Sequence, residues 1–169
     1  MSAAGPFDAI FRWLESTPLS VWILESPSLF AFPGILAAHT IGLAVLAGLN
    51  GALDLRLLGV ARGIPPSAFR RFLPVMWFGL WVNVISGLAL LLAYPTKALT
   101  NPVFYLKLTL IAVALAILRV ILKRIAQGEV DTPVMRTMAV GSLIVWGATI
   151  TTGRLLAYTC TRLTVDVPC

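Results

Sequence analysis

Residues 33–53 read PGILAAHTIGLAVLAGLNGAL, a run without Asp, Glu, Lys or Arg. As a single helix it is long enough to cross the roughly 30 Å hydrocarbon core of a bilayer. Pro33 suits a first helical turn, and the run extends a turn earlier if it is counted from Leu29. Three further apolar runs follow, from about 74 to 94, 103 to 122 and 134 to 158. A soluble core has no need of four such runs. Hydrophobic residues make up 59% of the 169-residue chain and charged residues only 12%, with a mean hydropathy of +0.92. Lipid rather than water is therefore its expected main solvent. The expected fold class is all-α: one integral membrane domain over residues 1–169, a four-helix bundle preceded by an interfacial amphipathic helix.

Charge orients these runs. The formal net charge is +6, but the basic residues gather in short loops between apolar runs instead of forming a solvated patch interleaved with aromatics. That placement argues against a nucleic-acid partner. Arg56, Arg62, Arg70 and Arg71 separate the first two runs, and Lys123 and Arg124 lead into the link before the fourth, whereas the loop 95–102 carries only Lys97. The excess of Lys and Arg assigns both basic loops to the cytoplasm. With four spans, the N-terminal segment, the loop 95–102 and the tail 159–169 then lie on the extracytoplasmic side.

Residues 1–27 lack the basic n-region and small-residue cleavage site of a secretory signal, so they are expected to persist, with the first span acting as the targeting signal. Phe7, Ile10, Phe11 and Leu14 repeat at helical spacing, and Trp13 and Trp22 suit the headgroup level. The same segment is equally suited to packing on a partner subunit. In the tail, Cys160 and Cys169 are expected to form a disulfide, because the assigned compartment is oxidising.

Polar residues within the spans are costly in hydrocarbon and mark the candidate site. His39, Leu43, Leu46, Asn50 and Asp54 share one face of the first helix, which is expected to point inward. Gly147, Thr151, Arg154 and Tyr158 share a face of the fourth. Counted at about 1.5 Å per residue, His39 and Arg154 lie at similar depths, with Lys107 and Glu25 in reach of the same layer. The expected outer cluster is His39, Arg154, Tyr158 and Lys107, with Glu25 beside it. At the other end Asp54 requires a partner, for which Arg70, Arg71 and Arg136 are candidates. Arg56 and Arg119 can reach lipid phosphate, and Asn83 is expected to hydrogen-bond between helices. Ala38, Gly42, Ala47, Gly48 and Gly51, and Gly79, Ser86 and Gly87, supply surfaces for close helix approach.

Four strings carry a family resemblance: His39-x-x-Gly42, Asp54-Leu55-Arg56-Leu57-Leu58-Gly59, Asn101-Pro102-x-Phe104-x-x-Lys107 and Gly153-Arg154-x-x-Ala157-Tyr158. Over about residues 24–158 the chain resembles a family of small bacterial inner-membrane proteins grouped by a domain of unknown function. The resemblance implies a bacterial four-span protein and no particular activity. The Asp54–Gly59 string is its specific part, and the two tail cysteines fall outside it.

No phosphate loop, dinucleotide glycine fingerprint, C-x-x-C or H-E-x-x-H spacing is present, and a single His cannot support a triad inside a membrane. An independent enzymatic activity is not expected. The leading expectation is a non-catalytic accessory or assembly subunit of a bacterial inner-membrane complex, with lipid and other membrane subunits, or further copies of itself, as partners. The alternative is an electron carrier binding quinone or haem b. There His39 would ligate the iron, and Arg154, Lys107 and Tyr158 would line the propionate side. One His per chain excludes the bis-His form within a chain, and Met76 lies about 15 Å away in depth. A third reading is a transporter of a small solute or a metal ion, with Met76, Met135 and Met138 as soft ligands for Cu(I).

Overall fold

The computed structural model describes residues 8–158 and is helical throughout, with no strand among them. The elements are α1 (Asp8–Glu15), α2 (Pro18–Glu25), α3 (Phe32–Leu57), α4 (Leu73–Ala93), α5 (Pro95–Leu99), α6 (Pro102–Ala126) and α7 (Pro133–Tyr158), with a 3-10 segment, Pro66–Phe72, before α4. Four helices are long and apolar enough to cross a membrane, as the sequence requires: α3, α4 with its preceding turn, α6 and α7. Each begins with proline at its first or second position or carries one just before its apolar run, where the missing N–H has no intrahelical partner to lose.

The α3 and α7 helices form the middle of the bundle; α4 packs on α3, and α6 packs on α7. Leu46, Leu53 and Leu57 of α3 meet Met76 of α4, Ala114, Leu118, Ile121 and Ile125 of α6, and Met135, Ala139 and Trp146 of α7 in one apolar core. Between α4 and α6 the bundle is left open as an apolar crevice, floored by Leu46 and walled by Leu73, Met76, Trp77, Leu80, Leu115, Leu118 and Leu122, with Arg119 on its rim.

At the basic end, α3 and α6 stop in the same way. Gly59 has φ +101° and Gly128 has φ +82°. Around each, two carbonyls of the last turn are taken up: Gly59 N donates to Arg56 O and Val60 N to Leu55 O, and Gly128 N donates to Ile125 O and Glu129 N to Arg124 O. These are Schellman caps, which need a left-handed residue and so favour glycine. Arg56, expected to reach lipid phosphate, instead turns back and donates to the carbonyls of Arg62 and Ile64, closing the loop after α3.

The N-terminal segment is two short helices, where the sequence pattern suggested one. Thr17 is the cap that separates them: its hydroxyl accepts from Ser20 N, and Pro18 starts α2. A pairing of Glu15 with Thr96 at 2.8 Å fastens α1 to α5, and both short helices pack against α4. The segment before α3 and the loop 95–102 thus occupy the same end of the bundle, opposite the basic loops. Trp13 and Trp22 are exposed there. Cys160 and Cys169, expected to be bridged, lie outside the described residues.

Glycines let α3 and α4 approach closely. A Cβ built on Gly42 would lie 2.8 Å from both Asn83 N and Gly79 O, and one on Gly79 would lie 3.0 Å from Gly42 O. Gly48, a neighbouring glycine on α3, has nothing within 4 Å of its would-be Cβ. Gly42→Ala is expected to destabilise the protein by about 1–3 kcal/mol by prising the helices apart, while Gly48→Ala, which relieves a helix-interior glycine, leaves it unchanged or slightly more stable. Equilibrium unfolding in mixed detergent micelles compares the two.

Candidate functional site

The polar layer near the N-terminal end is built on His39, on the inward stripe of α3. Its Nδ1 lies 3.0 Å from Asn83 O and 3.2 Å from Ser86 Oγ on α4. In return, Asn83 Nδ2 donates to His39 O at 2.8 Å, so one residue on each helix gives and receives across the seam. The ring can lie this close because α4 offers Gly87 beneath it, where a Cβ would come within 3.1 Å of Cε1. From α6, Lys107 brings Nζ to 3.3 Å from His39 Nε2. Its side chain in turn rests on Gly153 of α7, whose would-be Cβ is 3.7 Å from Lys107 Cε and Nζ. Because the Asn83 carbonyl can only accept, Nδ1 is the protonated nitrogen, and Nε2 offers its lone pair to an N–H of Lys107.

This arrangement gives physical roles to residues in three of the four quoted strings. Asn101 caps α6 by accepting from Val103 N at 2.9 Å, which sets the phase of the helix so that Lys107, a turn and a half later, faces inward. Gly42 brings α3 and α4 close enough for the His39–Asn83 exchange. Gly153, rather than its neighbour Arg154, is the contribution of α7.

Of the expected cluster, His39 and Lys107 are brought together and Arg154, Tyr158 and Glu25 are not. All three are exposed, Tyr158 at 77%. The stripe Gly147, Thr151, Arg154 and Tyr158 faces outward. The buried stripe of α7 is Met135, Ala139, Ser142, Trp146, Thr149 and Thr152. Its 4-3-4-3-3 spacing is as helical as the other, and it carries no ionisable side chain. The guanidinium of Arg154, near the end of α7, is more cheaply accommodated among headgroups than in the core.

A second polar layer joins α3 to α7 nearer the basic end. Asn50 Nδ2 donates to Asp54 Oδ2 at 3.0 Å and to Ser142 Oγ at 2.9 Å, and all three residues are 0% exposed. The arginines expected beside Asp54 are elsewhere: Arg70, Arg71 and Arg136 are exposed, and an amide and a hydroxyl take their place. Ser142 was legible only as the residue one turn from Trp146 on an unmarked face. No group of three or more His, Cys, Asp or Glu residues that could hold a metal occurs among the described residues. Met76 and Met135 are buried in the apolar core, with Met138 packed against it.

The chain belongs to a family described as a family of unknown function (DUF6644), whose model matches residues 10–159. No curated protein and no solved structure matches it.

Asn83→Ala removes the donor to His39 O and is expected to cost about 1 kcal/mol, the range found for hydrogen bonds between membrane helices. Arg154→Ala, at an exposed position, is expected to change stability by less than about 0.5 kcal/mol. Unfolding free energies of the two variants in the same micelles check both the pairing and the outward face of α7.

Proposed function

We propose that the chain is a non-catalytic accessory or assembly subunit of a bacterial inner-membrane complex, with its N-terminal segment, the loop 95–102 and its C-terminus on the extracytoplasmic side. The observation that supports this reading is the closure of the His39 layer. Both ring nitrogens have partners on other helices, the Asn83 amide returns the exchange, and Lys107 completes it from α6. His39, Asn83 and Lys107 are thus engaged in joining three helices, α3, α4 and α6. A bundle with an open crevice and an outward aromatic face on α4, carrying Trp77, Phe78 and Trp81, is suited to presenting a surface to another membrane subunit. The haem b reading requires Nε2 of His39 to leave Lys107, and Arg154 to turn in from the surface. The basic loops at one end support the proposed orientation through the positive-inside rule.

Purified in mild detergent from haem-replete cells, the protein is expected to carry a larger membrane subunit in fixed stoichiometry and to show no Soret band, with His39→Gln behaving likewise. A chain purified alone whose Soret band disappears in His39→Gln is instead a haem carrier. Orientation is checked separately by single cysteines in a background lacking the native pair: one at position 62 is expected to react only from the cytoplasm, and one at position 97 only from outside.

A further inference from the structure

The α3–α7 interface holds three buried polar atoms without a hydrogen-bond partner: Asp54 Oδ1, Asn50 Oδ1 and Trp146 Nε1. The first two belong to side chains already joined by the bond from Asn50 Nδ2 to Asp54 Oδ2. An acid and an amide linked in this way close a second bond when a proton sits on the acid, whose O–H then donates to the amide oxygen. One proton therefore satisfies both orphaned oxygens and needs no added space. A metal cation would need several more oxygens and room for its own radius.

The ionised form is held only by neutral groups, the Asn50 amide and the Ser142 hydroxyl. No cation pairs with Asp54 among the described residues. Arg56 is turned into its loop, Arg124 pairs with Glu129 at 2.7 Å, and Arg62, Arg70, Arg71, Arg119, Lys123 and Arg136 are exposed. From α7 the facing groups are Ser142 and the untitratable Met135, Ala139 and Trp146. Asp54 also stands in the last turn of α3, which ends at Leu57, where the helix dipole is negative and repels a carboxylate. An unpaired charge in such a place is far costlier than a hydrogen-bonded neutral acid.

The geometry points to Asp54 as a proton-binding site, in which the neutral carboxylic acid bridges to the Asn50 amide and, through it, to Ser142 on α7. The proton comes from the water at the basic end and returns to it, with no electron or co-reactant involved. Its release places a bare carboxylate between α3 and α7, so deprotonation and loosening of that interface are a single event.

Infrared difference spectroscopy on the full-length protein in lipid nanodiscs, at neutral and mildly alkaline pH, tests this against Asp54→Asn, an amide of the same shape. The expected result is a carboxylic-acid C=O band that is lost in Asp54→Asn and moves to higher frequency in Asn50→Leu, where the accepting amide is gone. If Asp54→Asn removes only carboxylate bands, Asp54 is ionised and the proposal fails. Carboxylate bands that shift when sodium replaces choline would identify a metal-cation site and overturn it equally. Should Asp54→Asn not fold, carbon-13 labelling of aspartate carboxyls in the wild type makes the same decision, by whether an acid band shifts with the label.

Discussion

Inside a bilayer no water is available to satisfy a polar side chain, so each one on α3 has to find a partner within the protein, and His39 and Asn50 find theirs on other helices. The rest of the bundle follows from that constraint. His39 fixes the rotation of α3 against α4 through Asn83 and Ser86, and reaches α6 through Lys107. Asn50 fixes α3 against α7 through Ser142. Leucines fill the space between these levels, but dispersion contacts among similar apolar side chains do not select one rotation of a helix over another. The two polar layers do, because a helix turned by one residue would strand several donors in hydrocarbon.

Close approach is what allows the outer layer to form. At Gly42 and Gly79 the backbones are near enough that a methyl group on either would collide with the other helix. Only at that distance can a side-chain amide on α4 reach a backbone carbonyl on α3. The glycine pair and the hydrogen-bond exchange are therefore one device, with the small residues setting the separation and the polar groups setting the register.

The spans and the inward face of α3 could be read in the sequence because hydrophobic run length and the spacing from His39 to Asp54 depend on the chain alone. The face of α7 could not. Two of its stripes have helical spacing, and one carried an arginine and a tyrosine that drew attention away from Ser142 and Trp146. Choosing between them depends on which stripe meets partners on the facing helices, as Ser142 meets Asn50, a property of the pair of helices. The partners of Asp54 differ from the expected arginines for a related reason. A carboxylate suggests a cation, but the arginines nearby in sequence sit in loops that end outside the core, while Asn50, one turn back, is already within hydrogen-bond distance. The division of the N-terminal segment at Thr17 and Pro18 was a visible capping signal, obscured by the longer amphipathic pattern running through it.

The Asp54–Gly59 stretch shows how adjacent residues can each serve the architecture without naming an activity. Leu53 and Leu57 enter the core at 1% and 2% exposure, Asp54 turns toward α7, Gly59 supplies the left-handed backbone that ends the helix, and Arg56 closes the following loop. Each residue type answers a different local demand: burial, interhelical bonding, chain reversal and loop closure. These demands conflict if the string shifts by one position, since a carboxyl in the place of Leu53 or a leucine in the place of Gly59 would break the core or the cap. Conversely, because Asp54 is held at the terminus of α3 by the same cap that positions Arg56, its bonding to Asn50 and Ser142 is coupled to the first basic loop. A change in the charge of that one carboxyl would be felt at once in the α3–α7 packing and in the geometry of the polypeptide leaving the membrane.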